Sequence, residues 1–447
     1  MASASTSAAS TVRASRLLAI QTPSSPSKSA AFQLLKANAF TQQAATGMHC
    51  LLPLGQRVIA RLIRLIEREL DAVGAQKISM PFLGAKELWE KTGRWDSMGA
   101  ELLRFADRNK KEFCLQPTAE EMVTSLLASH SSPPVSAYPF MLYQTTPKYR
   151  DEMNPRFGLL RGREFVMNDL YSFDIDEEGA RQSYEAVSAA YDTILRGRLG
   201  LEVYKVRADS GVHGGSLSHE YHMRNGLQED AMEACTSCGT HYKADEPSSS
   251  EPCCDGARRE RISSIEIAHT FQLGTRYSEV LNAYSGTSET KAPLHMCCFG
   301  IGVTRLLPAI VEWLARPSCI PQKDWCIHLP RPIAPFDVAV VPSTSLLSSL
   351  LVGTVSSAVD AALFSRDACP EPAILLDDRT RLSMGRRVQA AQSMGISRVV
   401  VLGKGTEKTA ETDPQYELWT ADPLKSEKLT KRGDYGLTAL VQALQEN

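Results

Sequence analysis

The feature that most constrains this chain is a pair of long strand-like runs, PFMLYQTTPKYRDE and GREFVMNDLYSFD, separated by the loop MNPRFGLLR. Aromatic and β-branched runs interrupted by Pro and Gly predict two antiparallel strands joined by a long hairpin loop. Side chains alternate faces along a strand, so Arg150 and Glu152 point to one side and can line one pocket, with Arg161 and Phe165 arriving on the return run. An arginine offers a planar fork to phosphate or carboxylate oxygens, a carboxylate accepts from an exocyclic amine, and a phenyl face suits a purine. Those are the needs of an adenylate site. On spacing alone, the same letters also describe a solvated Arg and Glu on an exposed strand face.

The rest of the pattern sets this hairpin in a mixed domain. Ile59, Ile63, Ile66, Leu70 and Val73 recur at helical spacing from Gly55 onward, and Gly74 closes the run, which predicts a long amphipathic helix. QKISMPF, ending at Phe82, reads as a short strand halted by Pro81. Residues 180–199 read as helix, Leu201 to Arg207 and Ile265 to Phe271 as strands, and Ile301 to Trp313 as an apolar helix entered from a Gly-rich turn. Strands that mix with helices without regular alternation predict an antiparallel α+β domain. Pro317, Pro321, Pro330, Pro332 and Pro335 mark a semi-rigid linker. Beyond it FDVAVVP, AILLDD, GRRVQAAQSMG and SRVVVLG alternate strand with helix, the signature of a small α/β unit with a largely parallel sheet.

Composition narrows the partners. In 447 residues, 49 basic and 51 acidic side chains leave a net charge of -2, so any nucleic-acid contact must come from local patches. No run approaches a membrane span; even the stretch from Gly55 is interrupted by Arg57, Arg61, Arg64 and Arg68. The first acidic residue is Glu67, and the Ser- and Ala-rich start before it carries Arg13, Arg16, Lys28 and Lys36. That is the composition of a mitochondrial transit peptide, so residues 1–30 are expected to be a transit peptide or disordered, and the location to be the mitochondrial matrix, with the cytoplasm as the alternative.

The run from Tyr149 to Phe165, YRDEMNPRFGLLRGREF, resembles the second signature motif of class II aminoacyl-tRNA synthetases, and its long form through Asp174 is similar to the bacterial and mitochondrial prolyl enzymes. The resemblance implies that Arg150 holds the ATP α-phosphate and the amino-acid carboxylate, Glu152 the adenine amine and Arg161 the outer phosphates, while Phe165 stacks on adenine. The helix and strand ending at Pro81 resemble the first motif, which in the family builds a homodimer interface. GIGVTRL with Arg305 resembles the third, whose arginine contacts ATP. PTAEE resembles the family's Thr-x-Glu loop that grips the proline imino group, which assigns Thr118 and Glu120 to L-proline; Ala119 stands where the family usually has His. The same letters also fit a helix cap at Thr118 with Glu121 closing a capping box. ADSGVHGGSLSHEYHM and IEIAHTFQLGTRYSE resemble the strands that floor the site, adding Glu266 and Gln272 as ATP contacts and His269 and His219 as proline contacts. Cys297 stands where the family commonly has Gly.

As the resemblance has it, a class II catalytic domain at 31–315 is followed by a linker at 316–335 and an anticodon-binding domain at 336–447. LLDDRTRLSMGRR would present Arg379, Arg386 and Arg387 to tRNA(Pro). The large editing domain of bacterial relatives is reduced to a short insert at 225–264, which removes that route for clearing alanyl-tRNA. The insert holds Cys235, Cys238, Cys253 and Cys254. Because the second pair is adjacent, its backbone differs from a zinc knuckle, and buried or idle thiols are expected rather than zinc. The implied reaction is activation of proline by ATP with Mg²⁺, then prolyl transfer to tRNA. A synthetase of threonyl or seryl specificity, or a non-catalytic RNA-binding or polymerase-accessory relative, would share the fold; retention of Arg150, Glu152, Arg161 and Arg305 favours catalysis.

Overall fold

The computed structural model describes residues 11–18, 27–129, 134–209, 211, 215–245, 254, 258–286, 291–315, 325–364 and 373–446. The predicted hairpin is its centre: Phe140–Tyr149 and Glu164–Asp174 pair antiparallel, from Phe140 opposite Phe173 to Tyr149 opposite Glu164. They sit in a nine-stranded sheet. Its order is Leu217–Arg224, Val203–Arg207, His241–Lys243, Asp230–Cys235, Arg259–Gly274, His295–Gly302, Glu164–Asp174, Phe140–Tyr149 and Gln76–Lys77, and Leu217–Arg224 also pairs directly with Arg259–Gly274. All the long pairings are antiparallel, in keeping with the α+β expectation.

Helices cover one face of this sheet. Pro53–Ala72 starts with Pro at a position where its missing N–H costs nothing, and Gly74 follows its end at φ +84°. Its buried stripe is Val58, Ile59, Leu62, Leu65, Ile66 and Leu70, with Ile63 and Val73 at the margin. Glu177–Asp192 is capped by Asp176, which accepts from the Gly179 N–H at 2.8 Å. Strand and helix ends depart modestly from the sequence reading. The run after Gln76 is strand only to Lys77, because Met80 N–H turns to the Gln144 side chain instead of a neighbouring strand. The apolar helix is Val303–Ala315, since Ile301 and Gly302 still pair with Glu164–Asp174.

A second, six-stranded sheet runs Thr11–Arg13, Ile374–Leu376, Val338–Pro342, Arg398–Leu402, Tyr416–Thr420 and Thr430–Tyr435; the first four are parallel and the last two antiparallel. Val338 and Val340 face a cluster with Val355, Val359 and Leu440, while Ala339 and Val341 face the larger core, so both sides are buried. A bidentate pair from Arg61 to Asp337, at 2.8 and 3.0 Å, ties the first long helix to the start of this sheet.

Two expectations change. Residues 11–16 are ordered: the strand Thr11–Arg13 extends the second sheet beside Ile374–Leu376, and the Ser15 N–H and hydroxyl donate to Asp378 at 2.9 and 2.7 Å. Composition could not reveal this, because the sheet edge satisfies a backbone that buries little on its own; residues 1–10 and 19–26 lie outside the described residues. Of the predicted linker, 316–324 with Pro317 and Pro321 also lies outside them, while in the remainder Ile327, Leu329 and Ile333 are buried.

Candidate active site

On the sheet face away from the helix Glu177–Asp192 lies a cavity of about 470 Å³. Nine of the residues singled out from sequence line it: Thr118, Glu120, Arg150, Glu152, Arg161, Phe165, Glu266, His269 and Arg305. At one end the Arg150 guanidinium stands 5.4 Å from the centre of the Phe165 ring, with Glu101 3.8 Å away. Burial pushes Arg150 below its ordinary value and Glu101 opposes the shift. Arg161 lies 3.7 Å from Glu152 and 3.5 Å from Glu229, which also holds Arg156 at 2.7 Å. Arg305 donates to the main-chain carbonyls of Leu160 and Glu266 at 3.0 and 3.1 Å, which orient it without neutralising it.

Glu266 and His269 reach the cavity together because of a bulge. Tyr221 pairs with Ala268 and His222 with Glu266, so Ile267 has no partner and the alternation slips by one residue. Glu266 then meets His269 at 3.0 Å. Burial would raise the Glu266 carboxyl, but His269 and Arg305 outweigh it and hold the group below the usual carboxylate range.

The other end is closed. Thr118 donates to Glu120 at 2.6 Å, and Arg94 donates to Glu120 at 2.9 Å and to Glu121 at 3.1 Å, all three charged groups being fully buried. Burial opposes the Arg94 charge, but the two carboxylates raise its pKa; Glu121 is raised by burial against the pull of Arg94. Tyr171 accepts from the Ala119 N–H at 2.9 Å and donates to Asp169, which pairs with Lys148 at 2.8 Å. Thr118 is therefore no helix cap: Glu120–Ala128 has Ala119 at its N-cap position without a side-chain bond, and Glu121 serves Arg94 and Thr92. Ala119 is fully buried, so its methyl packs where a larger group would not fit unchanged.

Two expected contacts lie elsewhere. His219 faces the helix side of the sheet, where Nδ1 meets the Tyr184 hydroxyl at 2.7 Å; burial, then Lys205 and Arg207, push it down to about 4. Gln272 is absent from the cavity wall; two residues before it on the strand, Thr270 bonds Tyr184 on that same helix side. Cys297 likewise points away, donating to the Ala180 carbonyl at 3.4 Å, while its neighbour Cys298 faces the cavity and Glu120. Sequence reasoning missed Arg94, Lys148, Glu220, Glu229 and Lys243. Lys243 pairs with Glu220 at 2.6 Å from the short insert, and no local motif marks such long-range partners.

Of the expected RNA contacts, Arg386 is exposed and Arg379 is held by Asp377 at 2.5 Å with part of its side chain open. Arg387 is a correction. It is 2% exposed and donates to the Pro342 and Asp377 carbonyls at 2.7 and 3.0 Å, fastening helix Met384–Ser393 to the sheet rather than presenting a cation. In the insert, Cys235, Cys238 and Cys254 place their sulfurs within 4.8 Å of one another; Cys253 lies outside the described residues.

Cations along an antiparallel hairpin, a ring for a base and a bulged acid-bearing strand together define the catalytic core of a class II aminoacyl-tRNA synthetase, and residues 103–313 match the family model of the tRNA synthetase class II core domain (G, H, P, S and T). Over 97% of its length the chain is 37% identical to a human protein named probable mitochondrial proline--tRNA ligase, covering 90% of it. It is 36% identical to the proline--tRNA ligase of Ehrlichia ruminantium over 82% of this chain and 85% of that one. The fold is shared with prolyl-tRNA synthetase of Cryptosporidium parvum, solved with L-proline and AMP, at a TM-score of 0.70 and 14% identity over 93% of this chain and 75% of that one. The chain belongs to the proline--tRNA ligase family.

Proposed function

We propose that the chain activates L-proline with ATP to give prolyl-adenylate and pyrophosphate, then transfers the prolyl group to the terminal ribose of tRNA(Pro). One observation carries this: a single cavity joins a cationic, ring-bearing end to a buried end where a carboxylate and a hydroxyl lie side by side. The proline carboxylate attacks the α-phosphorus, the bond to the β-phosphate oxygen breaks, and pyrophosphate leaves with the electron pair. Arg150 and Arg305 stabilise the charge that develops at the α-phosphate, Arg161 meets the outer phosphates, Glu152 and Phe165 seat adenine, and Glu120 with Thr118 pairs the secondary ammonium. Magnesium fits Glu266, a carboxylate facing the phosphate end, and there it would supply further neutralisation of phosphate charge.

Residues 31–315 act as the catalytic unit and 336–447 as the tRNA-anticodon unit, with Arg379 and Arg386 available to RNA. The relatives named as mitochondrial and the acid-free start support the mitochondrial matrix as the location. Homodimer formation is supported by Phe82 and Leu83, each 45% exposed just after the first-motif segment; sedimentation of the purified chain tests it. No helix among the described residues is long and apolar enough to cross a membrane. The deciding experiment is ATP–pyrophosphate exchange with each amino acid in turn. Proline alone should stimulate it; a preference for threonine or serine would overturn the assignment of Thr118 and Glu120, and no exchange with any amino acid would indicate a non-catalytic relative.

A further inference from the structure

The short insert carries a constellation that the synthetase chemistry leaves unused. Cys235 ends the strand Asp230–Cys235, and Cys238 lies in the turn leading to His241–Lys243. Two backbone bonds close that turn: the Cys235 N–H donates to the Thr240 carbonyl, and the Gly239 N–H donates to the Cys235 carbonyl, each at 2.9 Å. Gly239 has φ +73°, a conformation that glycine adopts without penalty, and with it the chain doubles back so that both cysteines face one point. Cys254 arrives at the same point from the other side of the insert. Its Sγ is 3.7 Å from that of Cys235, and all three sulfurs lie within 4.8 Å of one another.

The distances discriminate between chemistries. A disulfide needs about 2.0 Å between sulfurs, so 3.7 Å is nearly twice too long. Thiolates bound tetrahedrally at ~2.3 Å from zinc stand about 3.8 Å apart, close to the separation found. Burial alone does not explain the cluster either, since Cys238 is exposed and Cys254 half-buried while only Cys235 is enclosed. His241 is not part of it: its ring packs 4.8 Å from that of Tyr204.

We propose that Cys235, Cys238 and Cys254 bind one zinc ion as thiolates, with a fourth donor completing the tetrahedron, and that the ion staples the insert. The two cysteines of the turn match a knuckle; the adjacent pair that argued against zinc from spacing matters less, because Cys254 alone of that pair is needed at this point. The staple has a use. The hairpin it closes carries Lys243, which reaches Glu220 at the cavity, and it begins beside Glu229, which holds Arg156 and Arg161. A unit this small has few other means of fixing itself, its buried side chains among the described residues being little more than Met232, Cys235, Tyr242 and Ala244.

The test uses the full chain purified without chelator, with metal measured by inductively coupled plasma mass spectrometry. About one zinc per chain is expected, lost in Cys235→Ser and in Cys254→Ser but kept in Cys326→Ser, whose thiol lies outside the cluster. Cobalt(II) exchanged into the wild-type chain should give thiolate-to-metal charge-transfer bands and tetrahedral visible bands that Cys235→Ser lacks. If the serine variants fail to fold, the wild-type zinc content and the cobalt spectrum still decide. Less than about a tenth of an equivalent of metal, or a Cys235–Cys254 disulfide found by mass spectrometry, would overturn the proposal.

Discussion

The two ends of the cavity solve opposite problems. At the open, cationic end Arg150, Arg161 and Arg305 have 30%, 34% and 27% of their side chains exposed, and their nearest carboxylates stand off at 3.8, 3.5 and 3.8 Å. At the other end Arg94, Glu120 and Glu121 have none, and their contacts are 2.9 and 3.1 Å. Short charged contacts away from water are strong and costly to break, whereas long, wet ones are weak. A polyanion that brings its own charge can take over loosely held arginines without dismantling a pair. A small ammonium gains more from a carboxylate already fixed in place.

The largest effect expected from this contrast is on Arg94. Arg94→Met leaves Glu120 and Glu121 buried without their cation, and such an uncompensated charge costs about 3–5 kcal/mol, read as a lower urea midpoint. A loss below about 1 kcal/mol would break the contrast, because the closed end would then tolerate its missing partner as easily as the open one. Arg150→Ala should do the reverse. Its stability should stay within about 1 kcal/mol of wild type while pyrophosphate exchange falls by ~10² to 10³, the usual effect of removing one donor aimed at developing charge. Near-normal exchange would remove Arg150 from the chemistry.

How much of this could be read from the chain depends on range. The hairpin from Phe140 to Asp174 was legible because alternation and turn residues are local, but Arg150, Glu152 and Arg161 lie in the loop beyond the strand ends, so the resemblance and not the strand period assigned them and Phe165. Glu266 and His269 were assigned by resemblance; the strand period alone would have put them on opposite faces, and the bulge at Ile267 that reunites them has no residue signature. The same strict period is what carries His219 and Gln272 off the site. Arg387 misled for another reason: its neighbour Arg386 is solvated, and nothing in the run RR says which of the two turns inward to the Pro342 carbonyl. Thr11–Arg13 was invisible because an edge strand is stabilised by the sheet it joins, Ile374–Leu376, far along the chain.

Glu229 sharpens the comparison at the open end, since its carboxylate is nearly enclosed, 4% exposed between Arg156 and Arg161. If it steadies the hairpin loop, Glu229→Ala should raise the KM for ATP about five-fold, close to 1 kcal/mol for a partly wet pair, with kcat changed less than about twofold. An unchanged KM would mean that Arg161 needs no support before the phosphates arrive.

The smallest effect belongs to His219, outside both ends. Its pKa in the folded chain is about 4 against an ordinary 6.5, so the folded state binds fewer protons than the unfolded one between those values. The stability that its neutral ring contributes is complete above about pH 6.5 and is lost as the pH falls toward 4. His219→Gln can still accept from the Tyr184 hydroxyl but takes up no proton, so its thermal midpoint should fall less than that of the wild type between pH 7 and pH 5, with both substrate KM values within about twofold. A large rise in the KM for proline would instead return His219 to the cavity and mean that the helix side of the sheet takes part in recognition.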